Sequence, residues 1–501
     1  MIYVKNNGLN TYEPDIRALI NSFYPGEEIV HVYDMENPVN DPAVNDPADK
    51  AAFKAVYLDI DRICRSIKRE EDRFRDKNNV KRAVYKELSE LSERQLPWGT
   101  LTGIRPVRIL ERYEPLCKSR EELREKLKEE FLISEDKLKL SETIYDNESR
   151  ALNSIDYKNG YSIYIGIPFC PTRCVYCSFT SYPLGLFEDK LPDYICAVEK
   201  ELAAIGRLER TEGSVLYGKK LQTVYVGGGT PSVLTPELTA KLIGAVKENL
   251  DTSRLKELTF EAGRPDTIDR DKLTVLKQLG VDRISINPQT MNEKTLKAIG
   301  REHSVDDIRA AFLLARKAGF DNINMDVIAG LPGEGVKEFE HTLSEIGKFD
   351  PESLTVHTLA VKRASRLNTE GNAWGGVERK GLNKEGASEV SHMVELGKEY
   401  AFTRGLEPYY LYRQKNMAGN LENTGYARPG KESLYNILMM EEKHTVIGIG
   451  AGSSTKLVAY DGGAFRDNSV RRFENTRDLK SYLTETESLI KKREAFFELQ
   501  S

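Results

Sequence analysis

Short apolar runs alternate with amphipathic helical stretches through the middle of the chain. Six runs of apolar and β-branched residues predict strands at 162–167, 223–226, 257–261, 283–287, 323–328 and 353–358. Between them, apolar residues recur at helical spacing over 191–208, 236–250, 272–279, 306–318 and 336–349. This alternation predicts an α/β fold, a partial (β/α)6 TIM-like barrel with parallel strands inside and helices outside. Functional residues are then expected at the C-terminal ends of the strands.

The pattern changes on both sides of this core, which predicts three domains. Residues 1–155 begin with strand-like runs and continue as charged amphipathic helices, which predicts an N-terminal α/β accessory domain, separate from the core as an appendage. The barrel is predicted over 156–365. Residues 366–501 predict a C-terminal α+β extension: Trp374 marks its boundary, and its elements are a helix at 384–403, strands at 409–412 and from 446, and a helix at 479–499.

Composition excludes several classes of protein. The chain has 501 residues, 40% of them hydrophobic and 30% charged, which suits a large folded core. The net charge of -5 gives no general attraction to nucleic acid, and the mixed-sign run at 68–82 fits a solvated helix face better than a nucleic-acid patch. No apolar run is long enough for a membrane span, and residues 1–16 lack signal-peptide features. We therefore predict a cytoplasmic protein.

Three of the six cysteines lie in one loop directly after the first barrel strand. Cys170, Cys174 and Cys177 have the spacing CxxxCxxC within residues 161–182. Three thiolates can bind three corners of an iron–sulfur cube and leave one iron open, whereas structural zinc needs four ligands, which this stretch does not offer. The other cysteines, Cys64, Cys117 and Cys196, are interpreted as small buried apolar residues.

The CxxxCxxC loop resembles that of the radical S-adenosylmethionine (SAM) enzymes. Residues 161–360 resemble the oxygen-independent coproporphyrinogen III oxidase family, and the segments LPWGTLTGIRP (96–106) and RQKNMAGNLENTGY (413–426) are similar to its HemZ branch. Two features differ from relatives within the family. Phe179 stands where the best-studied oxidases have a further cysteine, and the HNxxYW-like motif of the haem-chaperone branch is not found.

The resemblance implies roles for residues at the strand ends, which singly would be ordinary packing, turn or surface residues. It implies a [4Fe-4S] cluster on Cys170, Cys174 and Cys177, and catalytic positions at Tyr164 and Glu261 beside a bound SAM. It also implies two SAM molecules, with cofactor contacts from Tyr164, Tyr176, Gly228, Gly229, Thr230, Glu261, Gln289, Arg301, Asp326 and Ala360. The set Gln289, Arg301 and Asp326 matches the spacing of the family's second SAM site.

The activity that the resemblance implies is oxidative decarboxylation of a tetrapyrrole. In the family, SAM cleavage gives a radical that removes hydrogen from a propionate of coproporphyrinogen III. Loss of carbon dioxide then leaves a vinyl group, an acceptor removes the surplus electron, and the product is protoporphyrinogen IX. The implied partners are this substrate and an electron donor such as flavodoxin or ferredoxin, and Lys362, Arg363 and Arg366 are candidates for contacting propionates. Two alternatives stay open: another radical SAM enzyme of tetrapyrroles, for methyl transfer or ring opening, and a haem-binding chaperone that retains the cluster.

Overall fold

The computed structural model describes residues 1–6, 12–24, 27–32, 56–103, 105–157, 159–360, 366, 384–413, 421–458 and 470–498. The predictions made for Trp374, Lys362 and Arg363 lie outside these residues. The strands are β1 (Ile2–Lys5), β2 (Ile29–Val32), β3 (Val56–Asp59), β4 (Gly160–Ile167), β5 (Phe169–Cys170), β6 (Tyr182–Pro183), β7 (Lys220–Gly228), β8 (Glu257–Glu261), β9 (Arg283–Ser285), β10 (Ile323–Ala329), β11 (Ser353–Thr358), β12 (Glu407–Tyr412), β13 (Asn423–Ala427), β14 (Thr445–Ile449), β15 (Ser454–Val458) and β16 (Val470–Glu474).

The α-helices follow the predicted pattern closely. They are α1 (Glu13–Phe23), α2 (Ile60–Arg65), α3 (Arg73–Ser92), α4 (Arg108–Tyr113), α5 (Arg120–Phe131), α6 (Glu135–Ala151), α7 (Leu184–Phe187), α8 (Leu191–Arg210), α9 (Pro236–Asn249), α10 (Arg270–Gln278), α11 (Glu293–Ala298), α12 (Val305–Lys317), α13 (Val336–Gly347), α14 (Lys384–Thr403), α15 (Leu434–Glu441), α16 (Leu479–Thr484) and α17 (Thr486–Phe497). The single helix predicted at 479–499 is therefore two helices, α16 and α17. In the N-terminal block, β3 ends at Asp59, which caps α2.

One large sheet carries the predicted barrel. Its strand order is β12-β13-β11-β10-β9-β8-β7-β4-β14-β15-β16, and the six predicted strands β4, β7, β8, β9, β10 and β11 are neighbours and parallel. This confirms the α/β partial-barrel prediction. The sheet is larger than predicted because β14 adds a seventh parallel strand beside β4, and antiparallel strands extend both edges.

Alternation along each barrel strand separates a helix-facing side from the interior. In β4, for example, Ile163, Ile165 and Ile167 are buried in the main core, which includes the apolar faces of α8 and α9. Tyr164, between them, instead stacks with Tyr225 of β7 and Tyr435 of α15. The rings of Tyr225 and Tyr435 lie 4.6 Å apart, so α15 packs against the inside of the sheet and fills part of the barrel with aromatic side chains.

The N-terminal block has two parts with different surroundings. Strands β2-β1-β3 form a small parallel sheet that packs with α1 and α3 around its own core. The part after residue 97 instead packs on the C-terminal strands: Trp98 shares a core cluster with Leu411 of β12, and Leu152 shares another with Tyr409 and Tyr410. The second half of the block predicted as an appendage up to residue 155 thus shares apolar core clusters with β12.

Five residues from three distant segments form what we call the seam between these parts: Trp98, Leu101, Lys137, Arg413 and Glu422. The Trp98 indole N–H donates to Glu422 Oε2 at 2.7 Å, and Lys137 forms an ion pair with the same carboxylate. The Arg413 guanidinium donates to the carbonyl of Leu101 and lies over the Trp98 ring. The seam thus joins the segments 96–106 and 413–426 that the sequence had singled out.

Two further observations concern single residues and helices. Cys64 and Cys117 are half-buried, but Cys196 is exposed on α8 and accepts a hydrogen bond from Lys241, so its interpretation as a buried residue is wrong. Helix α8 is amphipathic: the neighbouring residues Ile195, Ala197 and Val198 are buried, whereas Cys196 lies on the side of the helix that faces solvent. Within the described ranges, no helix combines the length and the apolar character that crossing a membrane requires.

Candidate cluster and cofactor site

The cysteine loop begins directly after β4 and is held at both ends. Phe169 and Cys170 pair with Tyr182 and Pro183, so the loop closes on itself at the C-terminal edge of the sheet. Its middle is attached to the segment after α11: the Val175 amide donates to the Ile299 carbonyl at 3.1 Å, and the Thr172 hydroxyl donates to the Gly300 carbonyl at 3.0 Å. The positions of the three thiols are therefore set by the barrel.

The three thiols have different neighbours. Burial raises the pKa of Cys170 to about 11, although the Thr230 hydroxyl donates to its sulfur at 3.4 Å. Burial also raises the pKa of Cys177. Cys174 is the most buried of the three, and Arg264 Nη1 lies 3.9 Å from its sulfur. Because metal ligation needs thiolates, binding a cluster here would release protons from these buried thiols.

The number of thiols in the loop bears on the kind of metal centre. A structural zinc ion takes four protein ligands, whereas in an iron–sulfur cube each thiolate binds a different iron and one iron can stay without a protein ligand. The loop supplies three thiols, Cys170, Cys174 and Cys177, which is the number that a cluster with one open iron needs. Among the residues that the structure describes, no group of three His, Cys, Asp or Glu side chains is arranged to hold a metal ion.

The glycines after β7 are required by the chain's own packing. Gly228 has φ +110°, a conformation that side-chain-bearing residues rarely adopt. A Cβ at Gly229 would lie 2.7 Å from the carbonyl oxygen of Phe169 and 3.0 Å from the Cys170 sulfur. The missing side chain at Gly229 therefore makes room for the cysteine loop. Thr230, buried behind these glycines, reaches Cys170.

Glu261 ends β8 and lies inside the barrel with the tyrosine stack. Its carboxylate accepts from the Tyr225 hydroxyl at 2.5 Å and from the Gly228 amide at 3.2 Å. Burial raises the pKa of Glu261 to about 7. A carboxyl group with this pKa can be ionised or protonated near neutral pH, so it can accept from, or donate to, a bound polar group.

Gln289, Arg301 and Asp326, the second predicted set, have two kinds of connection. Gln289 has φ +67°, and its backbone is fixed against β10, because its backbone amide donates to the Asp326 carbonyl at 2.9 Å and its backbone carbonyl accepts from the Ile328 amide. Arg301 contacts the cysteine loop: its Nη1 donates to the backbone carbonyl of Asn287 at 2.5 Å, and its Nη2 donates to the Tyr176 hydroxyl at 3.3 Å. The structure therefore links Gln289 to Asp326 through the backbone and Arg301 to the cysteine loop through Tyr176.

Several buried polar atoms of this region have no protein partner. They are Gln289 Oε1, Arg301 Nε and Asn287 Oδ1. Buried polar atoms in folded proteins are nearly always hydrogen-bonded, and those that are not require an explanation such as a bound ligand. We call the region between the cysteine loop and these residues the mouth of the barrel.

His357 is a residue of the mouth that sequence reasoning missed. Its Nε2 lies 3.6 Å from Asp326 Oδ2, and its Nδ1 is 3.3 Å from the Tyr412 hydroxyl. Burial alone would raise the pKa of Asp326, but His357 and Asn324 together hold it below its usual value. The available signal was alternation, since positions 353, 355 and 357 of β11 face away from the helix-facing residues Leu354 and Val356.

Arg264, Asp266 and His303 were also missed or set aside. Arg264 follows β8 and contacts the cysteine loop, while Asp266 lies beside both Arg264 and His303. His303 is buried and belongs to this charged group. Of the other predictions, Ala360 lies half-buried two residues after β11, and Phe179 has 64% of its surface exposed at the tip of the loop.

The residues present fit a cluster with SAM bound beside it. The loop supplies three thiols and no fourth ligand, and the unpartnered atoms of Gln289, Asn287 and Arg301 offer both acceptors and a donor to a polar ligand. Tyr164, Tyr176 and Thr230 border the same region. The arrangement therefore has the chemistry that the two cofactors need, although the roles of individual residues remain predictions.

Several known proteins are similar to this chain. A model of the radical SAM superfamily matches residues 164–346. The chain is 43% identical over 387 residues to the oxygen-independent coproporphyrinogen-III oxidase-like protein HemZ of Bacillus subtilis, which covers 77% of this chain and 74% of that protein. It is 31% identical over 293 residues to the heme chaperone HemW of the same organism, covering 58% and 70%. Among solved structures, coproporphyrinogen III oxidase (HemN) from Escherichia coli matches with a TM-score of 0.49 at 19% identity, covering 68% of this chain and 71% of that one.

Proposed function

This chain belongs to the radical SAM superfamily and to its family of oxygen-independent coproporphyrinogen-III oxidase-like proteins, and from that membership we propose that it oxidatively decarboxylates a porphyrinogen propionate. Membership implies a [4Fe-4S] cluster and SAM. The proposed substrate is coproporphyrinogen III, with protoporphyrinogen IX as product. The chemistry that the cofactors supply when bound is a carbon-centred radical that removes one hydrogen atom from the substrate.

The observation that carries the proposal is the set of unpartnered buried atoms at the mouth. Gln289 Oε1 and Arg301 Nε lie at the C-terminal ends of parallel strands, where enzymes of this architecture bind their ligands. An unsatisfied buried polar atom costs about 1–3 kcal/mol. The proposal accounts for that cost, because the second of its two SAM molecules would bring an amino group, a carboxylate and ribose hydroxyls to satisfy these atoms.

The chain's own residues bind and orient. Cys170, Cys174 and Cys177 would hold the cluster, and Thr230 donates a hydrogen bond to the first of these sulfurs. Tyr164 closes the floor of the site by stacking within the barrel, and Glu261 next to it accepts or donates according to pH. In our proposal both residues border the bound SAM and exclude water from the reacting atoms.

A second SAM molecule is part of the same proposal. Its site would use Gln289, Arg301 and Asp326, with Ala360 at the outer edge. Arg301 is already fixed by Asn287 and Tyr176, so its guanidinium is oriented in advance toward a carboxylate. An electron donor such as flavodoxin or ferredoxin would have to reduce the cluster.

The test is an anaerobic assay of the reconstituted full chain. With reductant, SAM and coproporphyrinogen III, we expect 5′-deoxyadenosine and the divinyl product to form together. Cluster content is measured by iron and sulfide analysis in the same samples, so a failure to load the cluster is separated from a failure of turnover. A loaded chain that makes deoxyadenosine but no vinyl product would contradict the proposed substrate.

The likeness to a heme chaperone supports a second candidate. A chain of the HemW type would bind haem and transfer it without decarboxylation, and the 31% identity over 58% of this chain favours keeping it. Titration of the loaded chain with haem, followed by absorbance, distinguishes the two. Tight haem binding without any divinyl product would favour the chaperone, and turnover with no haem binding would exclude it.

A further inference from the structure

Cys174 differs from the other two cluster cysteines in its charged surroundings. It is the most buried of the three, and the side chains of Arg264 and Arg301 both interact with it. Arg264 has only 4% of its surface exposed, so water does not screen its charge effectively. Cys170 instead accepts a hydrogen bond from a neutral hydroxyl, that of Thr230. Arg264 also acts electrostatically on Cys170, and Arg301 on Cys177, but the direct contacts of both arginines are with the Cys174 sulfur.

Arg264 is held in one orientation. Asp266 grips it with two parallel hydrogen bonds, from Nε to Oδ1 and from Nη2 to Oδ2, each 3.0 Å long. This bidentate pairing leaves Nη1 directed at the cysteine loop, 3.2 Å from Thr172 Oγ1 and 3.9 Å from the Cys174 sulfur. The Asp266 carboxylate thus lies on the side of the guanidinium away from Cys174, and Arg264 Nη1 presents positive charge to the Cys174 sulfur.

Asp266 itself contacts His303 on the side away from the cysteine loop. His303 Nδ1 lies 3.4 Å from Asp266 Oδ1. Burial alone would raise the pKa of Asp266, but His303 and Arg264 hold it below its usual range. The pair of Arg264 and Asp266 is therefore charged on both sides and acts as an oriented dipole next to the thiol.

We propose that Arg264, held by Asp266, is a positioning residue that sets the reduction potential of the cluster on Cys170, Cys174 and Cys177. This inference rests on the proposed cofactor. One-electron reduction adds a negative charge to a cluster already carrying three thiolates. The cluster is reduced in this step, and the external electron donor is oxidised. A fixed positive charge near one thiolate stabilises the reduced form more than the oxidised form and raises the potential.

The experiment is a redox titration of the reconstituted full chain, followed by the electron paramagnetic resonance signal of the reduced cluster. For Arg264→Gln we expect about a tenfold smaller ratio of reduced to oxidised cluster at the wild-type midpoint, which corresponds to a shift of about 59 mV to more negative potential. Arg264→Lys keeps the charge and should stay near the wild-type midpoint. Asp266→Asn removes the opposing charge and should shift the midpoint the other way.

The variants separate an electrostatic role from a structural one. If Arg264 merely holds the loop, Arg264→Gln and Asp266→Asn would both lose cluster, with an unchanged midpoint in the fraction that stays loaded, and this would overturn the proposal. Loss of the cluster from all three variants would overturn it too, because Arg264 would then serve loop folding. The potential is measurable whether or not any porphyrinogen is converted. A wild-type chain with a shiftable potential and no vinyl product would contradict only the proposed function.

Discussion

The seam and the mouth are both buried, polar and built from segments far apart in sequence, but their polar groups are used differently. At the seam, the Trp98 N–H and Lys137 share the Glu422 carboxylate, and Arg413 donates to the Leu101 carbonyl. At the mouth, Gln289 Oε1 and Arg301 Nε have no protein partner. The seam's groups satisfy one another and fix two parts of the chain together, whereas the mouth keeps binding capacity for something else.

The difference also has an energetic side. A satisfied buried hydrogen bond to a charged group contributes about 1.5–3 kcal/mol, and an unsatisfied buried group costs a similar amount. The seam is therefore expected to stabilise the fold, and the mouth to weaken it until a ligand binds. Substitutions at the two places should separate stability from cofactor binding.

The largest expected effect is at the cysteine loop. Cys177→Ala removes one of three cluster ligands, and we expect complete loss of the cluster after anaerobic reconstitution, measured by iron content and the absorbance of the cluster. Cys196→Ala is the matched control, because Cys196 is an exposed cysteine outside the mouth. A normal cluster spectrum in Cys177→Ala would refute its assignment as a ligand.

The next largest effect is at the seam. Trp98→Ala removes a fully buried indole and leaves a cavity, so we expect a loss of about 3–5 kcal/mol in the free energy of unfolding, measured by chemical denaturation. Trp98→Phe keeps most of the ring volume but loses the hydrogen bond to Glu422, so its loss should be smaller, about 1–3 kcal/mol. Equal losses in the two variants would show that the hydrogen bond matters more than the packing.

The barrel could be predicted from sequence, but the seam could not. Short runs of apolar and β-branched residues and the helical spacing between them are local signals, and all six predicted barrel strands are present and parallel. Trp98 and Glu422 are more than 300 residues apart, and no local pattern pairs them. The N-terminal helices were amphipathic in sequence, yet their apolar faces gave no sign that they cover β12.

The residues of the candidate site also divide into those that the sequence could predict and those that it could not. The cysteine spacing and the strand-end rule placed Cys170, Glu261 and Gln289 at one edge of the sheet, and the structure has them there. His357 and Arg264 were missed because a single histidine in a strand and a single arginine after one are common. Only the register of β11 and the course of the chain after β8 direct them to the site.

Arg301→Gln tests whether the mouth binds a charged ligand. Removing a guanidinium that contacts a carboxylate should weaken SAM binding about 10- to 100-fold, measured as the KM for SAM in deoxyadenosine formation. Arg309→Gln is the matched control, because Arg309 forms ion pairs with Asp306 and Glu345 on the outer surface of α12. If the two variants have the same KM, Arg301 serves only to hold the cysteine loop through Tyr176.

The smallest effect, and the one that depends on pH, concerns Glu261. Its folded-state pKa of about 7 lies above the ordinary value of a glutamate, so between about pH 4.5 and 7 the folded chain binds more protons than the unfolded chain. Stability must therefore fall as pH rises through this window and level off above it. Since Glu261 is only half-buried by its surface exposure, we expect a modest change, about 1–2 kcal/mol.

Glu261→Gln removes this titration while keeping the shape of the side chain. The free energy of unfolding of the variant minus that of the wild type should be larger at pH 8 than at pH 5, by the same 1–2 kcal/mol or so, because only the wild type must bury an ionised carboxylate at pH 8. The substitution also changes the hydrogen bonds with Tyr225 and Gly228, but that contribution is the same at both pH values and cancels in the comparison. If the difference in free energy of unfolding between the variant and the wild type does not change with pH, Glu261 is ionised throughout. The polar groups around Glu261 would then satisfy its carboxylate as fully as the groups of the seam satisfy one another.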